Sequence, residues 1–318
     1  MKLFGSTIRP EDVDRLVPDL HKLAGIRQFR EENGAGAGMR VIRVESGGGL
    51  SVEILPDRAL DIGQAWCDGV PFGWTGPIGA ARPAHLNGNQ PLSGLMSICG
   101  FDHIRQPEED GRPFPKHGNI TLQPAELRLA APVETERGTV LRVEADMRLF
   151  DLRHGGMKIR RRIDIPLGGQ SLHQHDEVEV FGHPQPVMAM YHINFGWPLA
   201  GPDSVLTLDG ADISGEALAR DGVTCRDAGQ GVARLAGHAG AEAPQVELRF
   251  DSDALPAFQT LRDATPGINL ICLEPASHPR EPRAELRARG LLPALAPGTR
   301  RSFGLSMTFA ARGGAAAR

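Results

Sequence analysis

Cysteine is scarce and scattered. Cys67, Cys99, Cys225 and Cys272 lie far apart with no Cys-x-x-Cys spacing in 318 residues, which excludes a disulfide scaffold and a zinc ribbon. With no signal-like segment at Met1-Lys2-Leu3-Phe4-Gly5, the expectation is reduced thiols in a cytoplasmic protein. An excess of either charge is also missing. The formal net charge is −4, which leaves no electrostatic footprint for nucleic acid or an anionic membrane and fits a small neutral ligand better. No apolar run approaches the roughly 20 residues that cross a bilayer. No glycine-rich phosphate loop joins a strand to a helix, because Gly34-Ala-Gly-Ala-Gly38 lies in the wrong context, so no organic cofactor is implied. Neither an internal repeat nor a long linker divides the chain. It reads as a single domain over residues 1–318 with a core of about 39–311, a length that all-β proteins often build as one unit. A homodimer is left open.

What is abundant is punctuation. Twenty-five prolines and 39 glycines cut the sequence into short segments, which favours strands and turns over long helices. Leu50, Val52 and Ile54 alternate with Ser51 and Glu53, and Leu141, Val143, Ala145, Met147 and Leu149 alternate with Arg142, Glu144, Asp146 and Arg148. A further strand carries Met157, Ile159, Ile163 and Ile165 and ends at Pro166-Leu-Gly-Gly169, a hairpin turn into the next strand. Helical spacing is limited to Val13, Leu16, Leu20 and Leu23 after Pro10, interrupted by Pro18, so one or two short N-terminal helices are expected.

The most informative segment is Met188-Ala-Met-Tyr-His192-Ile-Asn194-Phe-Gly-Trp197-Pro198, where a histidine and an asparagine sit in a run that is apolar on both faces. With a period of two, Met188, Met190, His192 and Asn194 share one face. A buried imidazole without partners costs on the order of 2 kcal/mol, so polar groups from elsewhere must meet it. Glu274 ends another apolar run, Ile268-Asn-Leu-Ile-Cys-Leu273. A histidine and a glutamate together can supply the acid and the base of a proton-transfer reaction. His117 lies in a loop, Pro113-Phe-Pro-Lys-His-Gly-Asn119, where Gly118 would let a ligand approach closely. Arg58 and Asp61 offer either forked hydrogen bonds to a ligand or a structural ion pair. Asp102 and His103 follow Cys99-Gly-Phe101, and Trp74 and Trp197 are candidate stacking platforms or core filling. His173-Gln-His175-Asp-Glu-Val-Glu179 has the spacing of a metal-binding strand, although a polar hairpin edge explains it equally well.

The order of five motifs carries a resemblance. Leu55-Pro-Asp-Arg58-Ala-Leu-Asp61-Ile-Gly63, Cys99-Gly-Phe-Asp102-His103, Lys116-His117-Gly-Asn-Ile120, Tyr191-His192-Ile-Asn-Phe195 and Leu273-Glu274-Pro275 together resemble the aldose 1-epimerase (galactose mutarotase-like) family, over roughly Val41 to Phe309. The resemblance implies an all-β, antiparallel β-supersandwich whose concave face holds a sugar. It implies Glu274 as the base at the anomeric hydroxyl, His192 as the acid at the ring oxygen, and His117 as a further site histidine holding sugar hydroxyls. Arg58 takes the place of the family's early asparagine-arginine pair, with Asp61, Asp102, His103, Asn194, Trp74 and Trp197 as the remaining substrate-binding candidates. The implied function is anomer interconversion of a free aldose or sugar derivative without cofactor or metal. The alternatives are a non-catalytic carbohydrate-binding protein, or an isomerase or epimerase of a keto, phosphorylated or sulfonated sugar.

Overall fold

The computed structural model describes residues 2–83, 93–237 and 242–312. Among the described residues two large antiparallel sheets dominate. The first runs, in hydrogen-bonded order, Glu126–Thr135, Gly138–Asp151, Gly155–Pro166, Ser171–Phe181, Arg300–Ala310, Gln245–Phe250, Val232–Ala236, Val205–Leu208 and Ala211–Asp212. The second runs Gly222–Asp227, Ala257–Asp263, Leu270–Ala276, Met188–Phe195, Met96–Phe101, Asp61–Cys67, Leu50–Leu55, Arg40–Glu45 and Gly25–Arg30. The all-β expectation holds, and the strand Gly25–Arg30 extends the second sheet to positions before the expected core boundary at residue 39.

The alternation in the sequence explains which faces turn inward. Leu141, Val143 and Met147 pair with Ile165, Ile163 and Ile159 on the buried face. Arg142 and Asp164 pair on the outer face through two hydrogen bonds of 2.7 and 2.9 Å. The inward side chains of both sheets merge into one apolar cluster that includes Ile54, Val143, Ile163, Tyr191 and Phe303. One charge breaks this layer. Arg161 occupies the inward position between Ile159 and Ile163, fully buried, and grips Asp176 with two hydrogen bonds of 2.7 Å. From the opposite sheet, the Tyr191 hydroxyl donates to the same carboxylate at 2.6 Å.

Met188–Phe195 is buried along its whole length because both of its faces are covered. Behind it lies the inter-sheet core. In front, Met188, Met190 and Cys99 pack with Ile104, Leu286 and Leu292. Leu286 comes from the helix Arg283–Ala288, and burying a leucine side chain of this kind stabilises by roughly 1.5–3 kcal/mol. No helical spacing marks that segment in the sequence. At the N-terminus the short helical elements expected are a 3-10 turn at Pro10–Asp12, a four-residue helix at Val13–Leu16 and a second 3-10 turn at Leu20–Lys22. Pro18 breaks the run, and Leu16 and Leu23 stay exposed, so no apolar stripe anchors a longer helix.

Candidate active site

Register brings the two candidate proton-transfer groups together. Strand Leu270–Ala276 pairs with Met188–Phe195 through Ile193↔Leu273 and Asn194↔Cys272. His192 and Glu274 therefore sit side by side on the face away from the main core. Both are buried, and His192 Nε2 lies 3.3 Å from Glu274 Oε1. The contact is close enough for an ion pair, yet it is not aligned as a hydrogen bond, and Oε1 has no hydrogen-bond partner among the described residues.

Neighbouring amides fix how each group points. Asn194 Nδ2 donates to the Gly94 carbonyl at 3.0 Å, and a carbonyl can only accept, so Asn194 Oδ1 must face His192. The His192 Nδ1 at 2.6 Å from that oxygen is then the protonated nitrogen. Nε2 is left to act towards Glu274 and the cavity. On the other side, Arg105 Nε donates to Gln259 Oε1 at 3.0 Å. The Gln259 amide nitrogen accordingly points at Glu274 Oε2 and donates to it. Arg105 itself is buried, with its two terminal nitrogens on the carbonyls of Pro279 and His278 at 2.8 and 2.7 Å. The carboxylate thus has one oxygen held and one oxygen open.

These groups form the floor of a cavity of about 230 Å³, below the roughly 300–1,000 Å³ of drug-sized ligand sites and of a scale for a monosaccharide. Trp74, Val223, Leu261, Ile268 and Leu270 give it an apolar wall, while Arg105, Lys116, His117, Asp263 and Arg280 give it polar ones. Trp74 is held in place by its indole nitrogen, which donates to the Ile268 carbonyl at 2.6 Å. The His117 ring stands edge-on to His192, with centroids 5.4 Å apart. Burial, reinforced by the neighbouring His192 and Lys116, pushes its pKa down to about 2, so this imidazole is neutral and can only position, not protonate. Its Nδ1 is buried without a hydrogen-bond partner among the described residues.

Four of the residues singled out in the sequence line this cavity, namely His192, Glu274, His117 and Trp74, and Asn194 orients one of them. The rest are placed differently. Arg58 and Asp61 are fully buried in a structural ion pair at 3.1 Å, with Arg58 also on the Ser93 carbonyl and Asp61 also accepting from Thr121 and the Ile98 amide. Arg58 reaches Ser97, which pairs with His192 across the sheet, so its influence on the site is indirect. Asp102 clamps the amide and side chain of Asn119 at 3.1 and 2.6 Å. His103 bonds the Gln106 carbonyl at 2.6 Å and packs on Phe114. Trp197 is 73% exposed. None of these five lines the cavity.

Gly118 also differs from expectation: the groups crowding it are the carbonyls of His103 and Gly100 and the Asp102 carboxylate rather than an open ligand space. His173 and His175 are exposed and Glu179 bonds Lys158 and Arg300, so these residues form the polar outer face of a strand paired on both sides rather than a hairpin edge. Arg105 and Gln259 were missed. Arg105 lies two residues past His103 in an already noted motif, and Gln259 is a polar residue in the buried stretch Ala257–Thr260.

A family profile described as a domain of unknown function, DUF4432, matches residues 36–222 and 214–309. The chain belongs to the DUF4432 family. A search of curated protein sequences gives no match. Among solved structures, this DUF4432 chain is similar to a Klebsiella pneumoniae protein provisionally named an aldose 1-epimerase, with 18% identity over 89% of this chain and 83% of that one, and a TM-score of 0.75. It is also similar to galactose 1-epimerase from Lactobacillus acidophilus (13% identity, 91% and 99% covered, TM-score 0.59). A GalM/aldose epimerase homologue from C. elegans matches at 12% identity, with 86% and 99% covered and a TM-score of 0.60. What the DUF4432 chain shares with them is the antiparallel β-sandwich of the galactose mutarotase-like fold.

Proposed function

We propose that this chain is an aldose 1-epimerase-like isomerase that interconverts the anomers of a free aldose or a close derivative. The observation that carries the reading is the buried His192–Glu274 pair, 3.3 Å apart with one carboxylate oxygen open, on the floor of a sugar-sized cavity. Ring opening needs a base at the anomeric hydroxyl and an acid at the ring oxygen, and both oxygens sit on one carbon. An acid and a base that are neighbours on one sheet face suit that demand. Glu274 Oε1 takes the hydroxyl proton as His192, acting as an imidazolium that keeps Nδ1–H on Asn194, gives its Nε2 proton to the ring oxygen. The bond from the anomeric carbon to the ring oxygen breaks and the aldehyde forms. After rotation about the adjacent carbon–carbon bond, the ring hydroxyl attacks the other carbonyl face. Its proton returns to His192, and Glu274 returns its proton to the carbonyl oxygen, so both groups end as they began.

His117 and Trp74 would hold the sugar, one by a neutral imidazole and the other by an apolar ring face. Lys116 and Arg280 on the cavity wall favour, among aldoses, one that carries an acidic group. The four free cysteines agree with a cytoplasmic setting. Among the described residues no helix is long and apolar enough to cross a membrane.

Anomer-resolved NMR exchange spectroscopy over a panel of neutral and acidic aldoses tests the reading. Acceleration over buffer is expected, and His192→Asn or Glu274→Gln should lower it by about 10²–10⁴-fold while circular dichroism stays unchanged. Full rates in both variants would reject the assignment. Saturable sugar binding with no acceleration would instead identify a carbohydrate-binding protein.

A further inference from the structure

One buried group beneath the cavity has no part in ring opening. Cys272 lies two residues before Glu274 on the same strand face, and its thiol donates to Asn194 Oδ1 at 3.3 Å. Cys272, His192 and Glu274 each offer one ligand atom, and the three atoms lie within 4.8 Å of one another. A second observation points at a ligand there. Glu274 Oε1 is buried and has no hydrogen-bond partner among the described residues, facing His192 Nε2 across 3.3 Å. Two ligands bound to zinc at about 2.0–2.1 Å in tetrahedral geometry stand about 3.3–3.4 Å apart. The Nδ1–H of His192 on Asn194 is the outer support that orients a metal-binding imidazole.

We propose that Cys272 Sγ, His192 Nε2 and Glu274 Oε1 form a zinc-class metal site whose fourth position faces the cavity. A thiolate, an imidazole and a carboxylate suit Zn²⁺ or Co²⁺ rather than Mg²⁺ or Ca²⁺. Binding expels the thiol proton and the His192 Nε2 proton to solvent, and occupies the nitrogen and the oxygen that would otherwise move protons. A loaded site is therefore closed to ring opening, and zinc acts as a reversible block. That consequence rests on the acid/base reading above; the metal site itself does not.

The test titrates chelator-treated protein with zinc chloride and with cobalt chloride, followed by calorimetry and absorption, for the wild type, Cys272→Ser and Asn194→Ala. One metal per chain is expected, with a near-ultraviolet thiolate-to-cobalt band. Zinc affinity should fall more than tenfold in Cys272→Ser and about 10–100-fold in Asn194→Ala. No stoichiometric binding, no thiolate band, or unchanged affinity in folded Cys272→Ser would overturn the site. Should that variant not fold, the band in the wild type decides. Anomer exchange is measured in the same series, and one equivalent of zinc should bring it to the buffer rate until chelator restores it. Exchange that persists with zinc bound overturns the block. Zinc held through Cys272 in a protein that shows no exchange even when metal-free leaves the site standing and rejects the proposed function.

Discussion

Two uncharged side chains decide how the charged ones behave. Asn194 is locked by a carbonyl that can only accept, and Gln259 by a guanidinium that can only donate. Each passes that constraint one bond further, to His192 and to Glu274. Gln259→Leu keeps approximate volume but strands both Arg105 Nε and Glu274 Oε2, and a lost hydrogen bond to a charged group costs about 1.5–3 kcal/mol. The expected result is a stability loss of about 2 kcal/mol by urea unfolding and a drop in kcat of roughly tenfold or more. Wild-type exchange in folded Gln259→Leu would count against the relay. His192 and Asn194 were legible in the sequence because each is a polar residue in an otherwise apolar run. Gln259 and Arg105 were not, because only strand register sets Gln259 opposite Glu274 and only a loop path brings the distant Arg105 to Gln259. For Arg58 and Asp61 the residues leave a ligand contact and a structural ion pair equally open, because an Arg-x-x-Asp turn looks the same whether its partners are a sugar or the protein itself.

The element that carries His117 is held at several points. His117 donates from its amide to the Arg105 carbonyl at 2.7 Å and accepts from the Gly100 amide at 3.0 Å, and Asp102 clamps Asn119 beyond it. Helix Arg283–Ala288 braces the same region, with Arg283 on the Asp102 carbonyl at 3.0 Å and on Asp110 at 2.7 Å. Gly118 has φ +72°, and an added Cβ would meet the His103 carbonyl at 2.5 Å and the Asp102 carboxylate at 2.6 Å. Gly118→Ala is expected to cost more than about 1 kcal/mol, because alanine is strained at positive φ. It should also raise KM for sugar more than it lowers kcat, since it moves His117 and leaves His192 and Glu274 on their strands. An unchanged melting temperature together with an unchanged KM would show that the loop does not place His117. The loop itself was legible from Pro113-Phe-Pro-Lys-His-Gly, but its bracing was not, because Gly100, Asp102 and Arg105 clamp it from the preceding segment and Arg283 braces that segment from a distant helix.

At the scale of the whole molecule, two buried histidines set a pH dependence. His278 is pushed down to about 4 by burial, and His117 to about 2. The unfolded chain takes up these protons near pH 6.5, whereas the folded chain refuses them. Between those values the unfolded state binds more protons, so stability falls as pH falls from about 6.5 towards 4. His278 alone accounts for at most roughly 3 kcal/mol over that window. Urea unfolding from pH 4 to 7 should show the decline, and His278→Asn should flatten it; parallel curves would remove His278 as a cause. The architecture was the most legible layer, since period-two alternation and frequent turns fix strands locally. The charge at Arg161 could have been noticed as an interruption of the inward series Ile159, Ile163 and Ile165, but its grip on Asp176, a carboxylate it shares with Tyr191, is a matter of sheet packing. Tyr191 and His192 are neighbours that point to opposite sides of one strand, the first tied into that buried ion pair and the second into the cavity. A slip of one residue would drag the phenol out of its anchor and turn the imidazole into the apolar interior. The reactive floor is thereby riveted to the sandwich, while Trp74, Lys116, His117, Ile268 and Arg280 hang over it from connecting segments. Substrate choice is free to drift through edits to that overhang, with the proton-transfer machinery left untouched.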